Sequence, residues 1–430
     1  MSILRITVTN DSPAGGTFLT PFWFGLHDDG FDLFEVSGVT SAGLEAIAED
    51  GTFDAIVDDL LAGTPDGQGG VVTGAAGPIA TDETTFLNVD VNDPTLTPLL
   101  SLAAMVLPSN DAFVGTDAAI AIFDEAGDFL GPQTIVFTGE DVLDAGTEVN
   151  TELDAAFINQ MGPNTGIDEG SVIVDHPGFN GSDGNPVGGG DQIILGGTNA
   201  FGEFIDPVIA DFTLPGAGIA TVVVQEVELV EGDETDETFD VDELDGLLLV
   251  DGGDGDDSVD IDDDFSDLSV IRSADGFRFV EDDGDEIEVN DVESLSFDDA
   301  SIVVSTDTDL SVLGLIYQVA LDRDADVAGL SFWSGALAAG LDFGDVGEFF
   351  LDSIEFTDSD GDTDDSTDFL NEIYQKAFGR DGDEAGLAFW GGLLDDGAIS
   401  QGDVVAAFAQ SEEAETVFAD DIANGFLIFS

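Results

Sequence analysis

Two short segments, PSNDAFVG (Pro108–Gly115) and DAGTEVN (Asp144–Asn150), decide how this chain reads, because they carry Asp111, Asp144 and Glu148 at the two ends of one alternating run. Between them apolar and polar residues alternate and then reach Gly131-Pro132, a pattern of strands joined by turns that returns the chain to one edge of a sandwich. Acids gathered at one edge repel each other unless a cation sits between them. Hard oxygen ligands of this kind, completed by carbonyls and water to roughly six to eight contacts, suit calcium. Three solvated loop acids are the competing reading in a chain with 94 acidic residues among 430.

The pairing of PSNDAFVG with DAGTE resembles the spondin domain, whose members carry Pro-Ser-Pro-Asp-Trp in the first loop and Asp-Ala-Gly-Thr-Asp in the second. HDDGFDLFEVSGVTSAGLEAIAEDG (His27–Gly51) is also similar to bacterial spondin-type sequences, so the resemblance covers roughly half the chain. It implies an antiparallel β-sandwich of C2-like type and one calcium ion bound by Asp111, Asp144 and Glu148. Two positions depart from the pattern: Ala112 stands where the family has Trp, and Glu148 carries its carboxylate one methylene further than the family Asp.

Composition bounds the partners. Ninety-four acids against six bases give a formal charge of −88, a field that repels nucleic acid and anionic lipid and attracts small cations. Adaptation to high salt gives the same balance without any specific site. With 43% apolar residues and 33 Phe the chain is long enough for two or three packed domains, and the absence of Cys excludes disulfides and sulfur-ligated zinc. Met1 runs directly into the alternating strand LRITVTN (Leu4–Asn10), with no basic or apolar leader, and no apolar run approaches the ~18 residues of a membrane span. Export without a cleaved N-terminal signal is therefore expected; the acidic-then-apolar tail ADDIANGFLIFS (Ala419–Ser430) is similar to type I secretion signals.

Along the chain, residues 1–230 read as one mostly β unit closing on TVVVQEVELV (Thr221–Val230), with two short helices, Ala42–Glu49 capped by Thr40-Ser41 and Phe53–Ala62 capped by Thr52. Residues 231–308 form an acidic β-rich connector: Glu231–Leu310 holds 31 acids and two bases in 80 residues. Within it GGDGDDSVD (Gly252–Asp260) fits the nonapeptide of calcium-binding β-rolls, although a single copy has no second copy to stack on. Residues 309–430 are expected to be all α, as two repeats of about 309–366 and 367–430. YQVALDRDADVAGLSFWSGAL (Tyr317–Leu337) aligns without a gap on YQKAFGRDGDEAGLAFWGGLL (Tyr374–Leu394) at a spacing of 57, each unit reading helix, acidic turn, helix. The pattern resembles the domain of unknown function 4214. Trp333 and Trp390 are expected in the core, and Arg323 and Arg380 paired with an acid of the turn. DSDGDTDD (Asp358–Asp365) has the alternating acids of half an EF-hand loop without its glycine and glutamate positions.

Catalysis finds little support. His27 and His176 are the only near-neutral bases, no H-E-x-x-H or G-x-S-x-G occurs, and Lys376 follows no Gly-rich loop. His27 beside Asp28 and Asp29 reads as a hydrogen-bonded loop residue. The reading is a multidomain, non-enzymatic, secreted or cell-surface calcium-binding protein. Its sandwich would contact extracellular matrix or a cell-surface polymer or protein, and its helical repeats would serve attachment. The alternative is a secreted hydrolase, for example a glycoside hydrolase, using a carboxylate pair that such an acidic chain does not single out.

Overall fold

A computed structural model of the protein describes residues 2–429 apart from 164, 180, 182–190, 243, 245, 274–275, 283 and 359–364. The core of DSDGDTDD therefore lies outside the described residues; Asp365 at its end caps the helix Ser366–Phe378. The chain divides into two units, Met1–Glu228 and Leu229–Ser430.

The first unit is β-rich and sandwich-like. In one sheet the strand Ser2–Asn10 lies between Thr84–Val91 and Gly218–Glu231, antiparallel to both, with Leu4 opposite Val89 on one side and Glu226 on the other. Leu4, Ile6 and Val8 are fully buried, as their alternation demands. The second sheet runs in the order Gln68–Val72, Phe22–His27, Leu99–Leu107, Ala112–Gly115, Leu143–Asp144, Val174–Asp175. Phe24, Leu102, Ala104 and Val114 face the core shared with the first sheet. Trp23, Ala103 and Phe113, on the same strands, point the other way and are covered by Leu44, Ile47, Ile56 and Leu60 of the two helices. Each large side chain buried this way contributes about 1.5–3 kcal/mol, so the helices make the second sheet an inner layer.

The first helix, Ala42–Asp50, starts as expected: Ser41 Oγ accepts from Leu44 N at 3.2 Å. The second begins differently. Asp54–Gly63 has Phe53 at its cap and no side-chain cap bond, because Thr52 Oγ1 is turned back onto Ala46 O at 3.3 Å and serves the end of the preceding helix.

In the second unit the acidic segment is packed rather than free. Val250, Val259, Phe279, Ile287, Val289 and Leu295 form its apolar centre. Thr238–Val241, Ser258–Ile261 and Ser294–Phe297 stack as a parallel ladder in which Thr238, Ser258 and Ser294 share one rung. The nonapeptide thus stacks on neighbours that do not carry its pattern.

Nine helices follow among the described residues, but residues 309–430 are not all α as expected: the strand Phe426–Phe429 closes the chain, antiparallel to Ser301–Ser305 of the acidic segment. The expected pairs, Thr308–Leu321 with Val327–Ala338 and Ser366–Phe378 with Glu384–Asp395, are each followed by a helix closed by a capping box at Asp342 or Ser400. Those two helices, Phe343–Leu351 and Gln401–Ala409, approach closely through glycine: a Cβ on Gly402 would stand 2.4 Å from Gly344 O, and one on Gly347 2.6 Å from Gly402 O. Trp333 and Trp390 are half-buried, edging over Phe350 and Phe408 at the margin of the bundle core. Arg323 pairs with Asp326 of its own turn at 3.7 Å, and each arginine donates to a carbonyl of its turn, Asp324 O or Asp381 O; the closer ion pairs run to Glu355 at 2.5 Å and Glu413 at 2.6 Å. The planar guanidinium lies over Tyr317 or Tyr374 and aims its fork at the carboxylate of a later helix, Ile354–Asp358 or Glu412–Val417.

Candidate metal centre

Pairing of two short strands builds the centre. Leu143–Asp144 lies antiparallel to Ala112–Gly115 with Asp144 opposite Ala112, which places Asp111 and Asp144 side by side where both strands end. Between these strands the chain crosses to the other sheet, where Gln133–Thr138 pairs with Gly218–Glu231, and then returns. Ala145 N donates to Asp111 O at 3.2 Å, and Thr40 Oγ1 donates to Ala145 O, tying the second loop to the start of the first helix.

The acids are buried rather than solvated at a rim: Asp111 is 0%, Asp144 6% and Glu148 4% exposed. Asp111 Oδ2 accepts from Thr147 N at 2.9 Å and Glu148 N at 3.0 Å. Its other oxygen, Oδ1, is buried with no hydrogen-bond partner. A buried carboxylate oxygen without a donor carries the full cost of its lost hydration. Asp144 Oδ1 accepts from Gly146 N at 2.7 Å, and its Oδ2 accepts from Asn150 Nδ2 at 2.7 Å. Among the described residues, ligand atoms of Asp111, Asp144 and His176 lie within 4.8 Å of one another.

His176 enters because Val174–Asp175 pairs with Leu143–Asp144. Gly178 N donates to Nδ1 at 3.0 Å, so that nitrogen is an acceptor. Burial drives the ring pKa down to about 3 and keeps the ring neutral, which leaves the proton on Nε2, 3.3 Å from Asn150 Oδ1. The chain His176, Asn150, Asp144 therefore orients a carboxylate. The imidazole has no lone pair left for a metal in this arrangement, so the donor set is one of oxygens.

Glu148 is placed otherwise. Its backbone bonds Asp111, while its carboxylate accepts from Gly166 N at 2.9 Å and Asn110 Nδ2 at 3.3 Å. Burial raises the pKa of Glu148 and of Asp144; burial and then the Asp144 charge push Asp111 up to about 7. Glu49, at the end of the first helix beside Thr147 and Glu148, is also pushed up to about 7, by burial first. The only Lys or Arg of residues 1–228 is Arg5, held on the other sheet against Asn88 at 2.8 Å and over Phe86. These carboxylates thus draw charge compensation from protons or from a bound cation, and the oxygen donors and orphaned Oδ1 fit a hard divalent ion.

Asn150, His176 and Glu49 are absent from the sequence-derived set. Asn150 is visible as the last residue of DAGTEVN, but the partnership with His176 rests on a strand pairing between residues 32 positions apart, Leu143 and Asp175. His27, in the first unit, is fully buried, with Nδ1 2.7 Å from Asp28 O and Nε2 2.8 Å from Ser101 Oγ.

The chain is thus a multidomain protein with a β-rich N-terminal region and a C-terminal helical repeat region. A family described as a domain of unknown function, DUF4214, matches residues 305–359 and 347–418, the helical repeats of the second unit. No match is found among curated proteins. No helix among the described residues is long and apolar enough to cross a membrane.

Proposed function

We propose that this is a secreted or cell-surface calcium-binding protein that contacts extracellular matrix or a cell-surface polymer or protein, with an N-terminal unit of spondin, C2-like type. The observation that supports it is Asp111 Oδ1, buried and unpartnered beside Asp144 in a unit whose only Lys or Arg lies on the other sheet. Asp111 and Asp144 supply the carboxylates; Glu148 holds Asp111 through its backbone and is the third candidate ligand. Bound calcium supplies positive charge between carboxylates that otherwise repel, and it ties the two loops together. Extracellular calcium modules bind at roughly 10⁻⁴ to 10⁻³ M, so the ion is taken up outside a cell and not in its cytosol. The missing basic surface argues for cation and protein contacts over nucleic acid.

The test is a calcium titration of the full chain at high, constant ionic strength, read by thermal melting of the first unit. Calcium at about 100 times its dissociation constant adds about 2.7 kcal/mol to the unit that binds it. Equal stabilisation by magnesium, or an unchanged response in Asp111→Asn and Asp144→Asn, removes the site and returns the acids to the general charge of the protein.

A further inference from the structure

The strand Ser269–Arg272 ends its sheet: it pairs with Gly276–Val280 on one side and, among the described residues, with no strand on the other. Ser273 N donates to Gly276 O at 3.0 Å, so the bonded positions of this hairpin are Ser273, Ile271 and Ser269, with Ile271 opposite Arg278 and Ser269 opposite Val280. The N–H and C=O of Val270 and Arg272 therefore point outward from the sheet, where none of the described residues bonds to them.

Sheet edges are ordinarily closed by outward charge, proline, a bulge or a covering element. Here Leu268–Ser273 contains no acid and no proline, although the 80 residues of Glu231–Leu310 around it hold 31 acids. Val270 and Ile271 are 36% and 45% exposed. The single charge of the strand, Arg272, is turned inward over the Phe277 and Phe426 rings, where Nη2 donates to Gly425 O at 2.9 Å.

A cavity of about 440 Å³ lies off the same edge, with Phe429, Val327 and Leu330 in its far wall. Val270 and Ile271 project to opposite faces of the strand, yet both line it, which places it beside the strand and not under one face. Asp324 and Asp326 also line it, 53% and 59% exposed. Neighbouring bases leave the cavity acidic, because Arg272 is shared with Asp421 at 3.6 Å and Arg323 is engaged by Glu355.

We propose that Ser269–Arg272 takes up an extended peptide of another protein as an added strand, with an apolar side chain in the cavity and Lys or Arg beside Asp324 and Asp326. The outward peptide groups of Val270 and Arg272 supply hydrogen bonds that any backbone can meet, and the cavity selects the side chains at alternate positions. A net charge of −88 draws a basic peptide and opposes a second copy of this chain. The site lies wholly within the second unit and is independent of Asp111 and Asp144.

The experiment uses the full chain with chelator present, so that the metal centre of the first unit plays no part in the result. A phage-displayed library of short random peptides is selected against it, and the most enriched peptide is synthesised with a fluorophore and titrated by anisotropy. Enriched sequences should alternate apolar residues with Lys or Arg, and their affinity should fall as salt rises. Val270→Pro removes an outward N–H but no hydrogen bond of the hairpin, and should weaken the peptide at least tenfold. N-methylation of alternate peptide amides keeps the test decisive if that variant does not fold: methylation in one register should abolish binding to the parent chain, and in the other leave it unchanged. Failure to enrich such sequences, equal affinity in Val270→Pro, equal effects of the two methylation registers, or self-association of the chain that Val270→Pro abolishes overturns the proposal.

Discussion

The backbone N–H of Glu148 donates to Asp111 Oδ2 at 3.0 Å, so these two acids meet through a peptide group and not through opposed carboxylates. That geometry separates their expected roles. Asp111→Asn should abolish the calcium-dependent rise in melting temperature, since it alters the carboxylate whose buried Oδ1 lacks a partner. Glu148→Gln leaves the backbone donor in place and should retain a calcium response with affinity reduced less than tenfold. Loss of the response in both variants alike would make Glu148 a ligand of equal weight.

Glycine substitutions in the helical repeats should move stability in opposite directions. Gly402→Ala puts a methyl 2.4 Å from Gly344 O, where two helices touch, and should destabilise by about 1–3 kcal/mol. Gly392→Ala lies inside the helix Glu384–Asp395 with nothing within 4 Å, and should stabilise by about 0.5–1 kcal/mol through lost backbone freedom in the unfolded chain. Urea denaturation midpoints of the two variants check the signs.

The repeated ion pairs carry little of that stability. Arg323 and Glu355 are 40% and 48% exposed, so the pair should be worth about 0–1 kcal/mol by double-mutant cycle. Phe369, fully buried, should cost about 3–5 kcal/mol as Phe369→Ala. A cycle energy for Arg323 and Glu355 above the cost of Phe369→Ala would reverse this ranking.

His27 sets a pH dependence in the first unit. Burial lowers its pKa in the folded state, partly countered by the Asp28 carbonyl and the charges of Asp28, Asp32 and Asp29. Because the unfolded chain then takes up the proton more readily, the contribution is complete above the unfolded value of about 6.5 and declines as pH falls below it. Stability measured from pH 8 to pH 5 should fall less steeply in His27→Gln than in the parent. Parallel curves would show that His27 does not titrate differently on folding.

Local patterns carried much of this structure into the sequence, and long-range pairing hid the rest. The meeting of Asp111 with Asp144 is legible because each acid sits at the end of a short strand in a run whose turns can be read. Asn150 and His176 are not, since nothing local says that Val174–Asp175 pairs with Leu143–Asp144. In the repeats, the gap-free spacing of 57 exposes the first two helices of each unit. The third helices carry matching Gly-Asp-Val triplets, Gly344 to Val346 and Gly402 to Val404, but at a spacing of 58, so one added residue breaks the alignment there. Thr52 shows the limit of propensity: a good capping residue was claimed by the carbonyl of Ala46 in the helix before it.

The position of Ser2–Asn10 between Thr84–Val91 and Gly218–Glu231 has a consequence for the order in which the chain is made. The first neighbour emerges within the first hundred residues, while the second, with Ile3 opposite Val227, emerges only after more than two hundred. For that whole interval one margin of a β-branched strand offers its peptide groups to any passing chain. A nascent polypeptide stalled or clipped ahead of Gly218 is therefore a seed for intermolecular pairing. The dense negative charge carried by the same nascent segment is what holds such copies apart until the closing strand arrives.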